Sequence, residues 1–271
     1  MDRIYPENPV NPVHNMFTKA IVRPPGANYV AGLTTVDLGA PDLERAVEQH
    51  EAYCQTLESC GLDLIRLAPD EDHPDSTFVE DTAILTARGA VITRPGAPSR
   101  RGETSRIGPV IRDYFSNVYL IEDPGTVDGG DICEAGEHFF IGISLRTNED
   151  GARQLAGFLE SFGYSSSLID IRGVSNILHL KSGLAYLGGG QLVLIEALRG
   201  RKEFSGYDCV CLDSGEDYAA NCLEVNGKVL IADGFPATKR ELEHRGYQTI
   251  ALDMSEYQKM DGGLSCLSLR F

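Results

Sequence analysis

The sequence contains no Cys-x-x-Cys pair, although it carries 7 cysteines: Cys54, Cys60, Cys133, Cys209, Cys211, Cys222 and Cys266. An odd number of thiols in 271 residues, without a secretion signal, argues against a disulfide framework. The close pair Cys209-x-Cys211 has no histidine clustered with it and makes a poor zinc site. Long apolar runs are missing as well. Nothing approaches the ~18 consecutive apolar residues of a transmembrane helix. The opening residues, Met1 to Pro6, lack the apolar core of a signal peptide. These absences predict a cytoplasmic protein with no membrane partner. Basic residues are scarce: 24 Lys and Arg stand against 40 Asp and Glu, a formal net charge of −16. That balance disfavours nucleic acid, because binding phosphate requires a basic surface. A small cationic substrate would be attracted instead.

What is present is an α/β pattern that repeats. A helix is followed by Gly or Tyr, a short apolar strand, a loop and a hairpin. Helices are expected near Asp42–Cys60, Glu103–Phe115, from Asn148 to Phe162, around Ala197–Phe204, and over Ala237–Arg245. The first places Leu43, Ala46, Val47, His50, Cys54 and Leu57 on one face, with Gly61 as its stop. The strands that follow start at Leu64, Val118, Ser167, Cys209 and Ile250, a period of about 40–55 residues. Four complete hairpins follow the loops, the clearest closing over Asn226-Gly227. The fifth lacks its second strand because the chain ends at Phe271. The N-terminal stretch Lys19–Arg23 resembles the outer strand Ala90–Arg94 and is expected to supply it. That exchange would close a ring of five units and remove exposed sheet edges; an open mixed sheet is the alternative.

A ring would place the loops before each hairpin around one centre. Those loops hold Asp75, Phe78, Glu80 and Asp81; Asp128-Gly129-Gly130-Asp131; His179 and Lys181; Tyr218 and Asn221; and Met260, Asp261 and Cys266. Each is ordinary alone. A cysteine is usually a buried apolar group, a histidine in an apolar run is usually a packed core residue, and Asp-Gly is usually a turn. Together they bring one thiol, one imidazole and several carboxylates into one place. Cys266 follows two glycines that permit close backbone approach, with Cys222 its nearest rival. His179 opposite a thiol could move a proton near neutral pH. Asp75, Glu80, Asp81 and Asp128 aimed at one centre would be costly unless a guanidinium, an ammonium or a metal ion offset them. Arg100 and Arg146 are candidate clamps for a carboxylate.

Several stretches resemble the dimethylarginine dimethylaminohydrolase family of the guanidine-modifying superfamily. They are Ala20–Pro24, Phe78-Val79-Glu80-Asp81, Ile92–Ala97, Asp128-Gly129-Gly130-Asp131, Phe139–Gly142, Arg146-Thr147-Asn148, Leu178–Lys181, Ala219–Cys222 and Asp261–Cys266. The resemblance runs in order over 17–271, read as a single catalytic domain, and leaves 1–16 as an extension. It implies a five-bladed α/β propeller of ββαβ units with pseudo-five-fold symmetry, the pentein fold. It implies hydrolysis of Nω-methylated arginine to citrulline and methylamine or dimethylamine, without metal or organic cofactor. Cys266 would be the nucleophile, His179 the general acid and base, and Asp128 the matching acid. Substrate contacts would fall on Leu33 in a lid loop, Asp75, Phe78, Glu80, Asp81, Arg100, Arg146, Met260 and Asp261. Relatives that deiminate free arginine carry an acid two positions after the histidine. Lys181 stands there in this chain and favours a methylated substrate. An arginine deiminase, an amidinotransferase, an inactive arginine-binding module and a thiol peptidase are the competing readings. A homodimer is compatible with the sequence.

Overall fold

The computed structural model describes residues 16–271. The expected extension over 1–16 therefore lies outside the described residues, apart from Met16. Among the described residues the β structure consists of five three-stranded sheets, and their construction follows one rule. Strand β1 (Lys19–Val22) leads through helix α1 (Leu43–Ser59) to β2 (Asp63–Arg66), which lies parallel to it. Strands β3 (Ala83–Thr86) and β4 (Gly89–Ile92) form an antiparallel hairpin, and α2 (Glu103–Tyr114) carries the chain to β5 (Val118–Leu120), parallel to β4. The same order recurs in β6 (Ile132–Ala135), β7 (His138–Ile143), α3 (Glu149–Ser161) and β8 (Ser165–Asp170). Strands β9 (Leu184–Tyr186), β10 (Gln191–Leu194) and β11 (Asp208–Cys211) follow. The last full unit is β12 (Leu223–Val225), β13 (Lys228–Ala232), α4 (Pro236–His244) and β14 (Gln248–Leu252). Helix α5 (Ser255–Gln258) then precedes β15 (Leu269–Arg270). β15 pairs antiparallel with β1, Ala20 opposite Arg270 and Ile21 opposite Leu269. The expected exchange of a strand between the chain ends is present.

Local chemistry explains the helix limits. Asp42 caps α1 by accepting from the Arg45 amide at 3.1 Å, and Gly61 beyond its end takes a φ of +93°. The buried face is Ala46, Gln49, His50, Tyr53, Cys54 and Leu57. Val47, expected on that face, is 44% exposed. It sits about 100° round the helix from Ala46, at the edge of the apolar stripe. No α-helix forms over Ala197–Phe204. Two 3-10 turns, Glu196–Leu198 and Lys202–Phe204, flank Gly200 at φ +73°. A left-handed residue there interrupts the i to i+4 ladder, and the segment is too short to restart it.

A 3-10 turn immediately precedes the strand that opens each hairpin, or lies one or two residues before it. The turns are Val79–Thr82, Gly129–Asp131, Leu180–Ser182, Asp217–Ala220 and Ser265–Leu267. Val79–Thr82 touches both Gly129–Asp131 and Ser265–Leu267, while Leu180–Ser182 touches Gly129–Asp131 and Asp217–Ala220. Asn221, just past the fourth turn, hydrogen-bonds Ser265 in the fifth. Equivalent positions of five units thus meet, and the candidate residues lie on or beside them. Among the described residues, no helix is long and apolar enough to cross a membrane.

Candidate active site

The Asp128-Gly129-Gly130-Asp131 turn is packed too closely for side chains at its centre. A Cβ on Gly129 would lie 2.0 Å from the Glu80 carbonyl oxygen, and one on Gly130 would lie 2.8 Å from the His179 ring. The glycines therefore let the turn press against the two neighbouring units. Asp128 is fully buried; its Oδ1 accepts from the Gly96 amide at 2.8 Å and its Oδ2 lies 3.1 Å from His179 Nε2. Asp81 reaches the same place from the preceding unit. Its Oδ1 accepts from the Gly130 amide at 2.8 Å. Asp81, Asp128 and His179 each offer an atom, and these atoms lie within 4.8 Å of one another.

Burial opposes charge on the imidazole, but Asp81, the Asp128 hydrogen bond and Asp131 outweigh it and raise His179 to about 9. Burial likewise opposes charge on Asp81. The imidazolium and the Arg100 guanidinium reverse that and hold its carboxyl at about 2. The pair is thus charged at neutral pH, acid facing imidazolium. Cys266 shows the opposite balance. Burial, with Glu80 and Asp81 adding to it, pushes its thiol up to about 12. The same Asp81 that favours the imidazolium thus disfavours the thiolate, and at neutral pH the thiol is protonated while the imidazole is charged.

Two of the carboxylates expected to need a ligand cation, Glu80 and Asp81, have protein cations instead. Lys181 Nζ donates to Glu80 Oε1 at 2.5 Å, and Ser265 Oγ donates to Glu80 Oε2 at 2.8 Å. Arg100 Nη1 donates to Asp81 Oδ2 at 2.5 Å. Its Nε and Nη2 bind the buried Glu103 carboxylate at 2.9 and 2.8 Å, and Nη2 also meets the carbonyls of Phe78 and Asp75. Protein acceptors thus occupy Arg100 except for one Nη1 hydrogen. Arg146 is the freer guanidinium, with Nη1 4.0 Å from Asp128 Oδ2.

Cys266 borders a cavity of about 310 Å³ whose wall includes Ile177, Leu178, Tyr218, Asn221 and Gly263. Of the expected site residues only Asp261 and Cys266 line it. His179, Asp128, Asp81 and Glu80 are not part of that wall; of these, Glu80 and Asp81 act on the thiol. The rival Cys222 is 3% exposed among Leu, Val and Ile side chains, its thiol also raised to about 12 by burial. Leu33 is 42% exposed, and its amide donates to Asp75 Oδ1 at 2.9 Å. Thr34 Oγ1 donates to the Lys259 carbonyl at 2.9 Å and the Thr35 amide to Asp261 Oδ2 at 2.5 Å. The loop is therefore tied down over the site, and Val36 and Leu38, rather than Leu33, line the cavity. Met260 is buried, and the Phe78 ring packs so closely on Gly262 that a Cβ there would lie 2.3 Å from it.

A dimethylarginine dimethylaminohydrolase from Pseudomonas aeruginosa is 46% identical over 94% of this chain and 100% of its own length. The chain belongs to the dimethylarginine dimethylaminohydrolase family. A Streptomyces coelicolor member is 33% identical over 93% of the chain and 96% of its own length. A structure of the Pseudomonas aeruginosa enzyme with citrulline, and one of a dimethylarginine dimethylaminohydrolase as an adduct with S-methyl-L-thiocitrulline, each superpose with a TM-score of 0.91 over 94% of this chain and 100% of theirs. The N-terminal domain of a cyanobacterial arginine dihydrolase shares the fold alone, at 19% identity and a TM-score of 0.84 over 94% of this chain and 97% of that domain. A scan against protein-family models finds no match. The α/β propeller of the dimethylarginine dimethylaminohydrolase family is the fold of this chain. Beyond the residues expected to act in the site, the structure adds Asn221 and Ser265 to it. Asn221 Nδ2 donates to the Lys181 carbonyl at 2.8 Å and to Ser265 Oγ at 3.0 Å, and Oδ1 accepts from the Ser265 amide at 3.0 Å. Both lie in loops whose register pointed inward, and that register was the available signal. Val36 and Leu38 had none, since a loop's course over a pocket leaves no periodic mark.

Proposed function

We propose that this chain hydrolyses Nω-methylated arginine, asymmetric dimethylarginine or monomethylarginine, to citrulline and dimethylamine or methylamine. The observation that carries the reading is the buried His179 imidazolium, held by Asp81 and Asp128, with Asp81 also acting on the Cys266 thiol. Such a site offers a poised proton donor and a nucleophile that lacks only its negative charge. A bound guanidinium would supply the field that releases the thiol proton to solvent. The thiolate adds to the guanidinium carbon. His179 gives its proton to the departing amine, which leaves neutral, and an S-alkylthiouronium remains on Cys266. Neutral His179 then takes a proton from water as the oxygen adds to the same carbon. Collapse forms the citrulline carbonyl, breaks the C–S bond and returns the hydroxyl proton to sulfur.

In this reading Asp128 orients the imidazole and Asp81 aligns the guanidinium. Glu80 is engaged by Lys181 and Ser265. That pairing withdraws one carboxylate from the guanidinium and suits a methylated nitrogen better than a free one. Arg146, with the remaining Arg100 hydrogen, would grip the α-carboxylate. Asp75 and the Met260 backbone would meet the α-ammonium, and Phe78, Leu33 and Asp261 would shape and close the pocket. We read residues 17–271 as one catalytic domain whose five units close into a ring, supported by the β1–β15 pairing. All 7 cysteines are free thiols, which fits a reducing cytoplasm.

Citrulline release is to be measured with dimethylarginine, monomethylarginine and arginine. Turnover of the methylated substrates over arginine is expected; ammonia from arginine as the main product would sink the reading in favour of a deiminase. Cys266→Ser should abolish turnover. His179→Ala treated with S-methyl-L-thiocitrulline, whose thiolate leaving group needs less protonation, should carry a covalent adduct. Mass spectrometry is expected to find it on the Cys266 peptide, and an adduct on Cys222 would overturn the assignment.

A further inference from the structure

Asp131 has no part in the chemistry above, yet it is fully buried and no arginine or lysine pairs with it among the described residues. Its Oδ1 accepts from the Leu180 amide at 3.0 Å, the residue after His179. Its Oδ2 accepts from Ser144 Oγ at 2.7 Å. Ser144 Oγ in turn accepts from the amides of Arg146 at 2.9 Å and Thr147 at 3.1 Å. Thr147 Oγ1 then accepts from the Asp128 amide at 3.1 Å. One carboxylate therefore links the turn bearing His179, the turn bearing Asp128 and the segment bearing Arg146.

The network also explains why a carboxylate is needed. Both acceptor positions of the Ser144 hydroxyl are taken by backbone amides, so its hydrogen must go to an acceptor. Leu180 N–H needs a second one. An amide side chain offers one oxygen and would turn its NH₂ toward a donor, leaving a buried group unpaired. We propose that Asp131 is a positioning residue whose carboxylate locks the His179 turn to the Arg146 segment and sets a third negative charge behind the imidazole. The titratable groups facing Asp131 are His179 and Asp128. Burial raises its carboxyl to about 6, with the imidazolium and the Ser144 and Thr147 hydroxyls limiting the rise, so it is ionised where the enzyme would work. The groups that support charge on His179 are Asp81, Asp128 and Asp131.

This inference rests on the acid–base role proposed for His179, and its test separates the two. In Asp131→Asn, the NMR titration midpoint of His179, read without substrate, should fall by about one pH unit or more. Its kcat should drop at least about tenfold, as expected when a general acid is misplaced and less protonated. Ser144→Ala keeps the carboxylate but cuts the link to Arg146. Its KM should rise several-fold while the His179 midpoint stays near that of the wild type. A folded Asp131→Asn with an unmoved midpoint and wild-type kcat overturns the proposal. Should Asp131→Asn not fold, Ser144→Ala decides: wild-type kcat and KM there overturn it equally. A wild-type chain that releases no citrulline would defeat the proposed function, while the His179 titration would still decide whether Asp131 acts on the imidazole.

Discussion

At the scale of single residues, buried carboxylates set the charges of the site. His179 is 7% exposed, and an isolated imidazole so placed would shed its proton. Asp81, Asp128 and Asp131 instead raise it from 6.5 to about 9. A folded value above the unfolded one means that folding binds a proton at this site. The stabilisation is complete below about 6.5, declines as pH rises from there, and is gone above about 9. The difference in urea-unfolding free energy between the wild type and His179→Gln should therefore shrink across that window; a constant difference would contradict the charge assignment. The same proton is the one given to the leaving amine, so kcat should also fall on the alkaline side as the imidazolium is lost. The partners of these charges were hidden in the sequence. Lys181 and Glu80 are 101 residues apart, and nothing in either neighbourhood points to the other.

At the scale of elements, the turn before α3 shows how one side chain can start a helix and hold a loop. Asn148 Oδ1 accepts from the Gly151 amide at 2.8 Å as the N-cap, and from the Thr126 amide at 3.0 Å across the loop. Its Nδ2 donates to the Pro124 carbonyl at 2.9 Å. Asn148→Ala should cost about 1–2 kcal/mol, at the upper end for a cap because loop bonds are lost with it. The urea midpoint should move down with an unchanged slope; an unchanged midpoint would show that water replaces the cap. The asparagine was legible as a helix start because the chemistry of capping is local. The stretch around Gly200 was misleading for a related reason. The repeat placed a helix there, but a glycine in the left-handed region decides the backbone.

At the scale of the whole molecule, the first and last strands of the described residues are partners. The Thr18 and Lys19 amides both donate to the Phe271 carbonyl at 2.9 Å, and the Phe271 amide donates back to the Lys19 carbonyl at 2.9 Å. β15 and β1 are thus a hairpin without its turn. Removing residues 1–16, joining Phe271 to Phe17 by a short Gly-Ser linker and opening the chain between Gly188 and Gly189 should leave the described architecture intact. The new ends fall in a β9–β10 turn where Gly188, Gly189 and Gly190 all have positive φ, and added atoms at Gly189 and Gly190 would meet nothing. The permutant should unfold within a few degrees of the parent by calorimetry. A large loss of cooperativity would show that the order of the units matters more than their contacts.

The sequence by itself determined the units, because alternation, caps and turns are written within a dozen residues of where they act. It also determined which thiol, imidazole and carboxylate to suspect, since the repeat set distant loops in register and the family motifs fell on them. Tertiary structure alone decided who neutralises whom: Arg100 with Asp81, Lys181 with Glu80, and Asp131 behind His179. The physical reason is that a buried ionic group takes its partner from whatever the fold brings within about 3 Å. In this chain Lys181 and Glu80, and Asp131 and His179, come from different units, and Arg100 reaches Asp81 across a hairpin; the sequence sets the order of these residues but not their distance.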